Sequence, residues 1–229
     1  MKKLAIIILA MTFVSNTVFA ASFTDIENHW AKDSITTLAD KGIVNGVTDT
    51  EFMPDGTVTR AQYLKMIMEA TGIATKPIRY GECLDATEND WYGGYLQSAL
   101  DKGLIPKEMV ADYKANVDYK VDENGSATET KVIYTGNFNG NNAITREEMA
   151  VLTQYMYQYT RTILTNIKHG DEKATTFDDN DAISDWAISS VNQAVLNGFM
   201  DGMDDNNFNP KNTATRAQAA TVILRVINK

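Results

Sequence analysis

Apolar residues recur at helical spacing in six short stretches that fall into three pairs. In the first member of each pair, Ile35/Leu38/Ala39, Leu96/Ala99/Leu100 and Val191/Ala194/Val195 share one face, which predicts three short amphipathic helices. Each ends at a glycine, Gly42, Gly103 or Gly198, a residue that takes the left-handed cap conformation without penalty. The residues that follow, Ile43, Leu104 and Phe199, are predicted to fold back onto the helix. The second members are the stripes Tyr63/Leu64/Ile67, Met149/Ala150/Leu152/Met156 and Ala219/Ala220/Ile223/Leu224/Ile227. Each stripe follows a capping box, with Thr at the N-cap and Gln or Glu three residues on: Thr59-Arg60-Ala61-Gln62, Thr145-Arg146-Glu147-Glu148 and Thr215-Arg216-Ala217-Gln218. Inside the middle pair the period changes to two. Val117-Asp118-Tyr119-Lys120-Val121 and Lys131-Val132-Ile133-Tyr134 flank Asn124-Gly125, so a β-hairpin is expected there.

The pairs are copies of one unit. From Trp30 the chain places Gly42, Gly46, Phe52, Pro54 and Arg60 at offsets 12, 16, 22, 24 and 30, and from Trp186 it places Gly198, Gly202, Phe208, Pro210 and Arg216 at the same offsets. A middle copy starts at Trp91, keeps Gly103 at offset 12, and reaches Phe138 and Arg146 after 25 additional residues. This middle copy departs from the others: Ile105-Pro106-Lys107 replaces the second glycine region, Gly140 stands in place of proline, and Leu84 is read as replacing the leading Phe. The units are expected at 22–73, 80–160 and 176–229, with the hairpin insertion near 105–134. A two-helix unit of this size buries too little surface to stand alone, whereas three can share a core. The expected fold is mainly α: three helix-loop-helix units in a pseudo-threefold trimer around a central helical bundle.

The N-terminus adds a compartment. Lys2-Lys3, an apolar run from Leu4 to Val14 and the small residues Ala20-Ala21 read as a secretory signal peptide over 1–20, too short to be a membrane anchor. Its removal takes the net charge from −9 to −11, which argues against general nucleic-acid or anionic-membrane binding, since both need a cationic field. The lone Cys83 reads as a buried structural thiol. No metal site or cofactor is expected: His29 and His169 are far apart, and the acidic turns at Asp178-Asp179-Asn180-Asp181 and Asp204-Asp205-Asn206-Asn207 lack the glycine and distal glutamate of a calcium loop. Nucleophile-elbow, zinc-protease and phosphate-loop signatures are absent, so the chain is not expected to be an enzyme.

The ordered strings Phe23-Thr24-Asp25, His29-Trp30-Ala31, Gly42-Ile43-Val44-Asn45-Gly46, Phe52-Met53-Pro54 and Val58-Thr59-Arg60-Ala61-Gln62 resemble the S-layer homology (SLH) domain. The third copy repeats them as Phe177-Asp178-Asp179, Asp185-Trp186-Ala187, Gly198-Phe199-Met200-Asp201-Gly202, Phe208-Asn209-Pro210 and Thr215-Arg216-Ala217-Gln218. The resemblance implies a triplet that attaches exported proteins non-covalently to the cell wall. The implied ligand is a secondary cell-wall polymer, a pyruvylated glycan held in grooves between units, with Arg60, Arg146 and Arg216 as anion contacts. The residues themselves agree: a cation in the first turn opposes the helix dipole by roughly 0.3–1 kcal/mol, and a bound carboxylate supplies a reason for it. The alternative is an arginine that pairs with a neighbouring carboxylate or carbonyl. Because the middle copy is altered, Arg146 is expected to matter less than Arg60 and Arg216, and the fold is expected to tolerate loss of any of them.

Trp30, Trp91 and Trp186 either stack on a sugar or anchor the core. Gly46 and Gly202 either admit a ligand to the backbone or serve a turn. A secreted, wall-bound, non-catalytic binding module is the leading expectation. Its alternatives are a surface-layer assembly protein using calcium in its acidic turns, and a wall hydrolase. The sequence ends at Lys229, thirteen residues past Arg216, so a hydrolase would have to build its site inside the repeats. A protein cargo or surface-layer partner is left open.

Overall fold

A computed structural model describes residues 23–79, 81–162, 176–203 and 205–229, so the signal segment lies outside the described residues. Its principal helices are α1 (Lys32–Asp40), α2 (Arg60–Ala70), α3 (Gly93–Asp101), α4 (Arg146–Thr162), α5 (Ile188–Leu196) and α6 (Arg216–Ile227). Two antiparallel ribbons accompany them: β1 (Glu82–Cys83) with β2 (Ala86–Thr87), and β3 (Ala111–Val121) with β4 (Ala127–Asn137).

The local signals act as the sequence predicts. Gly42, Gly103 and Gly198 take φ of 69°, 66° and 72°, and the amides after them, of Ile43, Leu104 and Phe199, reach back to Leu38, Ala99 and Ala194. The capping boxes are formed in both directions at Thr59/Gln62, Thr145/Glu148 and Thr215/Gln218. The hairpin is longer than its alternating core: Val117 pairs Val132 and Asp118 pairs Lys131, but pairing continues to Ala111 and Asn137. Its turn spans 122–126, where the Asp122 carboxylate accepts the amides of Asn124 and Ser126 and Gly125 takes φ of 78°.

Packing runs from one unit to the next. The second helices α2, α4 and α6 touch one another pairwise, while α3 lies on α2, α5 on α4 and α1 on α6. Each first helix thus covers the second helix of the preceding unit, and the first unit covers the last. The apolar stripes meet in one core: Ile35, Leu38, Tyr63, Leu64, Ile67, Leu96, Ala99, Met149, Leu152, Val191, Ala194, Ala219, Ala220 and Ile223 are all wholly buried. Between α2 and α4 the buried Tyr63 hydroxyl meets Thr153 Oγ1 at 2.6 Å. Main-chain bonds close the same circle, with Val58 N donating to Ala214 O, Ala214 N to Ile144 O, and Ile144 N to Val58 O. The free amides at the helix starts are also met by the neighbouring unit: Arg60 N by Asn142 O, Arg146 N by Asn212 O, and Arg216 N by Gly56 O.

A carboxylate clamp shapes the loop of every unit. Asp25 accepts the amides of Phe52 and Met53, Asp85 those of Phe138 and Asn139, and Asp179 those of Phe208 and Asn209, at 2.7–3.1 Å. The second residue of each pair is left-handed, with φ of 55° at Met53, 54° at Asn139 and 56° at Asn209. Asparagine tolerates this conformation and methionine does not. Met53→Asn should therefore stabilise the protein by about 0.5–1 kcal/mol, read as a higher urea midpoint at unchanged slope, since Met53 is largely exposed.

Counted back from these carboxylates, the place of Phe23 and Phe177 is held in the middle unit by Cys83, not by Leu84. Cys83 is wholly buried, and burial, with Asp101 and Asp85 nearby, pushes its thiol up to about 12. This thiol is inert at neutral pH. The leading phenylalanines also account for Gly46 and Gly202. Neither has a positive φ; a Cβ at Gly46 would meet the Thr48 carbonyl oxygen first and lie 2.6 Å from the Phe23 ring, and one at Gly202 would lie 2.6 Å from the Phe177 ring. In the middle unit, where Cys83 takes the place of the ring, the position corresponding to the glycine is Lys107.

Candidate functional site

The three arginines are the joints between units. Arg60 on α2 reaches the middle unit, donating from Nε to Phe138 O at 2.8 Å and from Nη2 to Met109 O at 2.6 Å. Arg146 on α4 reaches the third unit, donating to Phe208 O at 2.7 Å and Asp201 O at 2.8 Å. Arg216 on α6 closes back on the first unit, donating to Phe52 O and Asn45 O, both at 2.8 Å. Each guanidinium lies over the ring of the phenylalanine whose carbonyl it holds, at 4.6, 4.8 and 4.3 Å from the centroids of Phe138, Phe208 and Phe52. The carboxylate clamp fixes the phenylalanine, and the phenylalanine receives the arginine.

Every arginine is therefore paired with the loop of the following unit, a stagger the sequence does not announce. The altered loop of the middle copy receives Arg60, whereas Arg146 enters the regular loop of the third copy. Arg60 and Arg146 are 5% exposed and Arg216 is half-buried. Burial lowers the Arg146 guanidinium from its ordinary value, opposed by Asp179 and Asp201; burial does the same at Arg216, opposed by Asp25. Both remain cationic, since an arginine does not lose its proton near neutrality.

The joints differ in their third nitrogen. Arg60 Nη1 forms an ion pair with Glu148, itself mostly buried, so this guanidinium is satisfied by protein on all three nitrogens. Among the described residues no carboxylate pairs with Arg146 or Arg216.

A cavity of about 350 Å³ opens beside Arg146. Its lining comes from all three units: Trp30 from the first, Arg146 and Met149 from the second, and Met200, Gly202, Thr221 and Arg225 from the third. Three of the residues singled out from the sequence, Trp30, Arg146 and Gly202, thus meet at one place. Trp30 is 65% exposed and Trp91 53%, so neither anchors the core, whereas Trp186 is half-buried and packs against it. Arg60 lines a separate cavity of about 400 Å³ with Met109, Asn139, Asn142 and Glu148. Gly46 lines a hollow of about 320 Å³ in the first unit, next to the Asn45 carbonyl that Arg216 holds.

Several members of the site carry no sequence signature. Arg225, in the last turn of α6, donates to Asp201 Oδ2 at 2.7 Å and holds the loop that Arg146 also holds. Thr221 Oγ1 is buried at the cavity wall without a hydrogen-bond partner. Such an orphan hydroxyl beside a cationic cavity suits a polar, anionic guest. The clamp residues Asp25 and Asp179 were visible as the repeated last letter of Phe23-Thr24-Asp25 and Phe177-Asp178-Asp179, but not their receivers 27–30 residues on.

Comparison with known proteins fixes the family. A family model described as the S-layer homology domain matches residues 22–64, 134–150 and 176–220. The chain carries tandem S-layer homology repeats. The middle SLH match begins at the end of β4 and covers the Arg146 capping box, leaving out the inserted hairpin. The SLH chain is 36% identical over 208 residues to an amylopullulanase of Thermoanaerobacterium thermosulfurigenes, covering 91% of this chain and 10% of that protein. It is 35% identical over 210 residues to the exoglucanase XynX of Acetivibrio thermocellus, covering 92% of this chain and 16% of that protein. A surface-layer 125 kDa protein of Lysinibacillus sphaericus is 24% identical over 227 residues, covering 97% of this chain and 16% of that protein. The SLH chain thus spans a sixth or less of each of these relatives, and what they share with it is the repeat region.

Proposed function

We propose that this chain is a non-catalytic cell-wall anchoring module that binds an anionic glycan of the wall, a pyruvylated secondary cell-wall polymer, in grooves between its units. The observation that carries the proposal is the cavity at Arg146. An exposed indole, a cation with an unused donor and an unpartnered buried hydroxyl converge there from three units. An indole face suits the apolar side of a pyranose, and a guanidinium suits its ketal carboxylate. That the same repeat occurs in polysaccharide-degrading enzymes and in surface-layer proteins fits a role common to both, attachment at the cell surface.

The reading includes a pseudo-threefold trimer of units at 22–73, 80–160 and 176–229. Support comes from the pairwise meeting of α2, α4 and α6 and from the circular order of the arginine joints. Asp179, a member of one acidic turn considered for calcium, uses both carboxylate oxygens on the amides of Phe208 and Asn209. Among the described residues no helix is long and apolar enough to cross a membrane.

The chain should sediment with walls that carry the polymer and stay in solution when offered peptidoglycan stripped of it. Equal binding to stripped and intact walls would remove the polymer from the proposal. Trp30→Ala should weaken binding to purified polymer several-fold. Its stability should change by no more than about 0.5 kcal/mol, because the ring is largely exposed. A melt shifted in step with the binding loss would instead make Trp30 a packing residue.

A further inference from the structure

The third residue of each second helix, Gln62, Glu148 or Gln218, has one end committed to its capping box. Its side-chain oxygen accepts the amide of Thr59, Thr145 or Thr215 at 2.9, 2.9 and 3.2 Å. The other terminal atom differs in kind. On Glu148 it is Oε1, an acceptor, and it pairs with Nη1 of Arg60. On Gln218, which lines the cavity with Arg146, it is Nε2, a donor. At the Arg60 groove a protein carboxylate thus stands where an anionic guest would bind, and an arriving carboxylate meets a like charge. At the Arg146 groove the capping position holds an amide, which brings a donor to the cavity wall; the Asp201 carboxylate that also lines this cavity is paired with Arg225 and not with Arg146, and the Thr221 hydroxyl is unpartnered.

We infer that this capping residue decides whether a groove accepts an anion: Glu148 occupies and closes the Arg60 groove from within, and Gln218 leaves the Arg146 groove open to a carboxylate. The inference rests on the proposed glycan-binding role for the nature of the guest, while the open or closed state follows from the ion pair itself. It also reverses the ranking expected from sequence. The altered loop of the middle copy receives Arg60, so the groove that is lost is that of Arg60 and not that of Arg146.

Glu148→Gln and Gln218→Glu test it, because either residue completes the capping box, as the three units demonstrate. The probe is the methyl glycoside of a 4,6-O-pyruvylated N-acetylhexosamine, titrated calorimetrically into the chain from Ala21 onward. Glu148→Gln should gain one binding site per chain. Gln218→Glu should lose one, with affinity at the affected groove falling by about tenfold or more. The double variant should return the wild-type number, with the site moved. An unchanged number of sites in both single variants that melt cooperatively overturns the inference. Should wild type bind no glycoside, the proposed ligand is wrong, and free pyruvate then decides the inference alone. In that arm the Arg60 Nε–H resonance must respond to pyruvate in Glu148→Gln and not in wild type. A silent Arg60 in both overturns it.

Discussion

Arg146→Ala should cost about 2–4 kcal/mol of stability, lowering Tm by roughly 5–10 °C in a domain of this size. The side chain is 5% exposed and makes two charged hydrogen bonds, at 2.7 and 2.8 Å, to main-chain carbonyls of another unit. Removing it strands the Phe208 and Asp201 carbonyls, takes the cation from the Phe208 face and leaves a void between α4 and the third loop. The gain from deleting a cation at a helix start, up to about 1 kcal/mol, is smaller than these losses. Arg146→Lys should recover only part of the deficit, because an ammonium cannot reproduce the planar fork that spans two carbonyls. Differential scanning calorimetry of wild type, Arg146→Ala and Arg146→Lys checks this order. A Tm for Arg146→Ala equal to wild type would mean the joint contributes nothing to the fold. This departs from the tolerance expected on sequence grounds, where the capping threonines and apolar stripes appeared sufficient without the arginines.

Asp25→Ala should cost about 1–2 kcal/mol at pH 7, after allowance for solvent screening of an exposed carboxylate, and the cost should shrink in acid. Burial by itself raises this carboxyl. The amides of Phe52 and Met53, together with the charge of Arg216, outweigh burial and hold it below its ordinary 3.8. A carboxylate depressed in the folded state binds its proton more tightly once unfolded. Its contribution is therefore complete above the unfolded value and is lost as pH falls through the folded one. Urea unfolding of wild type and Asp25→Ala at pH 7 and at pH 2.5 reads this directly. The separation of the two midpoints should be larger at neutral pH than in acid. A constant separation would place the effect in packing rather than in the carboxylate charge.

What the sequence made legible was local. Capping boxes, helix-ending glycines and the hairpin turn involve residues within a few positions of each other, and their chemistry leaves one reasonable geometry. The site was partly legible, because triplication marked Arg60, Arg146 and Arg216 as special and set Trp30 and Gly202 apart. The partners were not legible. Arg60 joins residues 49 and 78 positions away, and nothing in its own neighbourhood distinguishes a loop in the same unit from one in the next. Alignment by the tryptophans also hid the clamp, since Asp25, Asp85 and Asp179 stand five, six and seven residues before Trp30, Trp91 and Trp186. The same drift made Leu84 rather than Cys83 look like the missing phenylalanine. The rings that crowd Gly46 and Gly202 were hidden as well, because each comes from the start of the unit, over twenty positions earlier.

The joint made by Arg216 spans 171 residues to Asn45, and α1 packs on α6. Closing a loop of that length costs entropy that no earlier contact within the first unit offsets, so the circle forms late and as a whole. For a chain made N-terminus first, the first unit stays unlatched until the last helix has emerged. A chain truncated before Arg216 would be left with two open faces, the bare side of α1 and the unfilled loop at Asn45, each an invitation to the end of another copy.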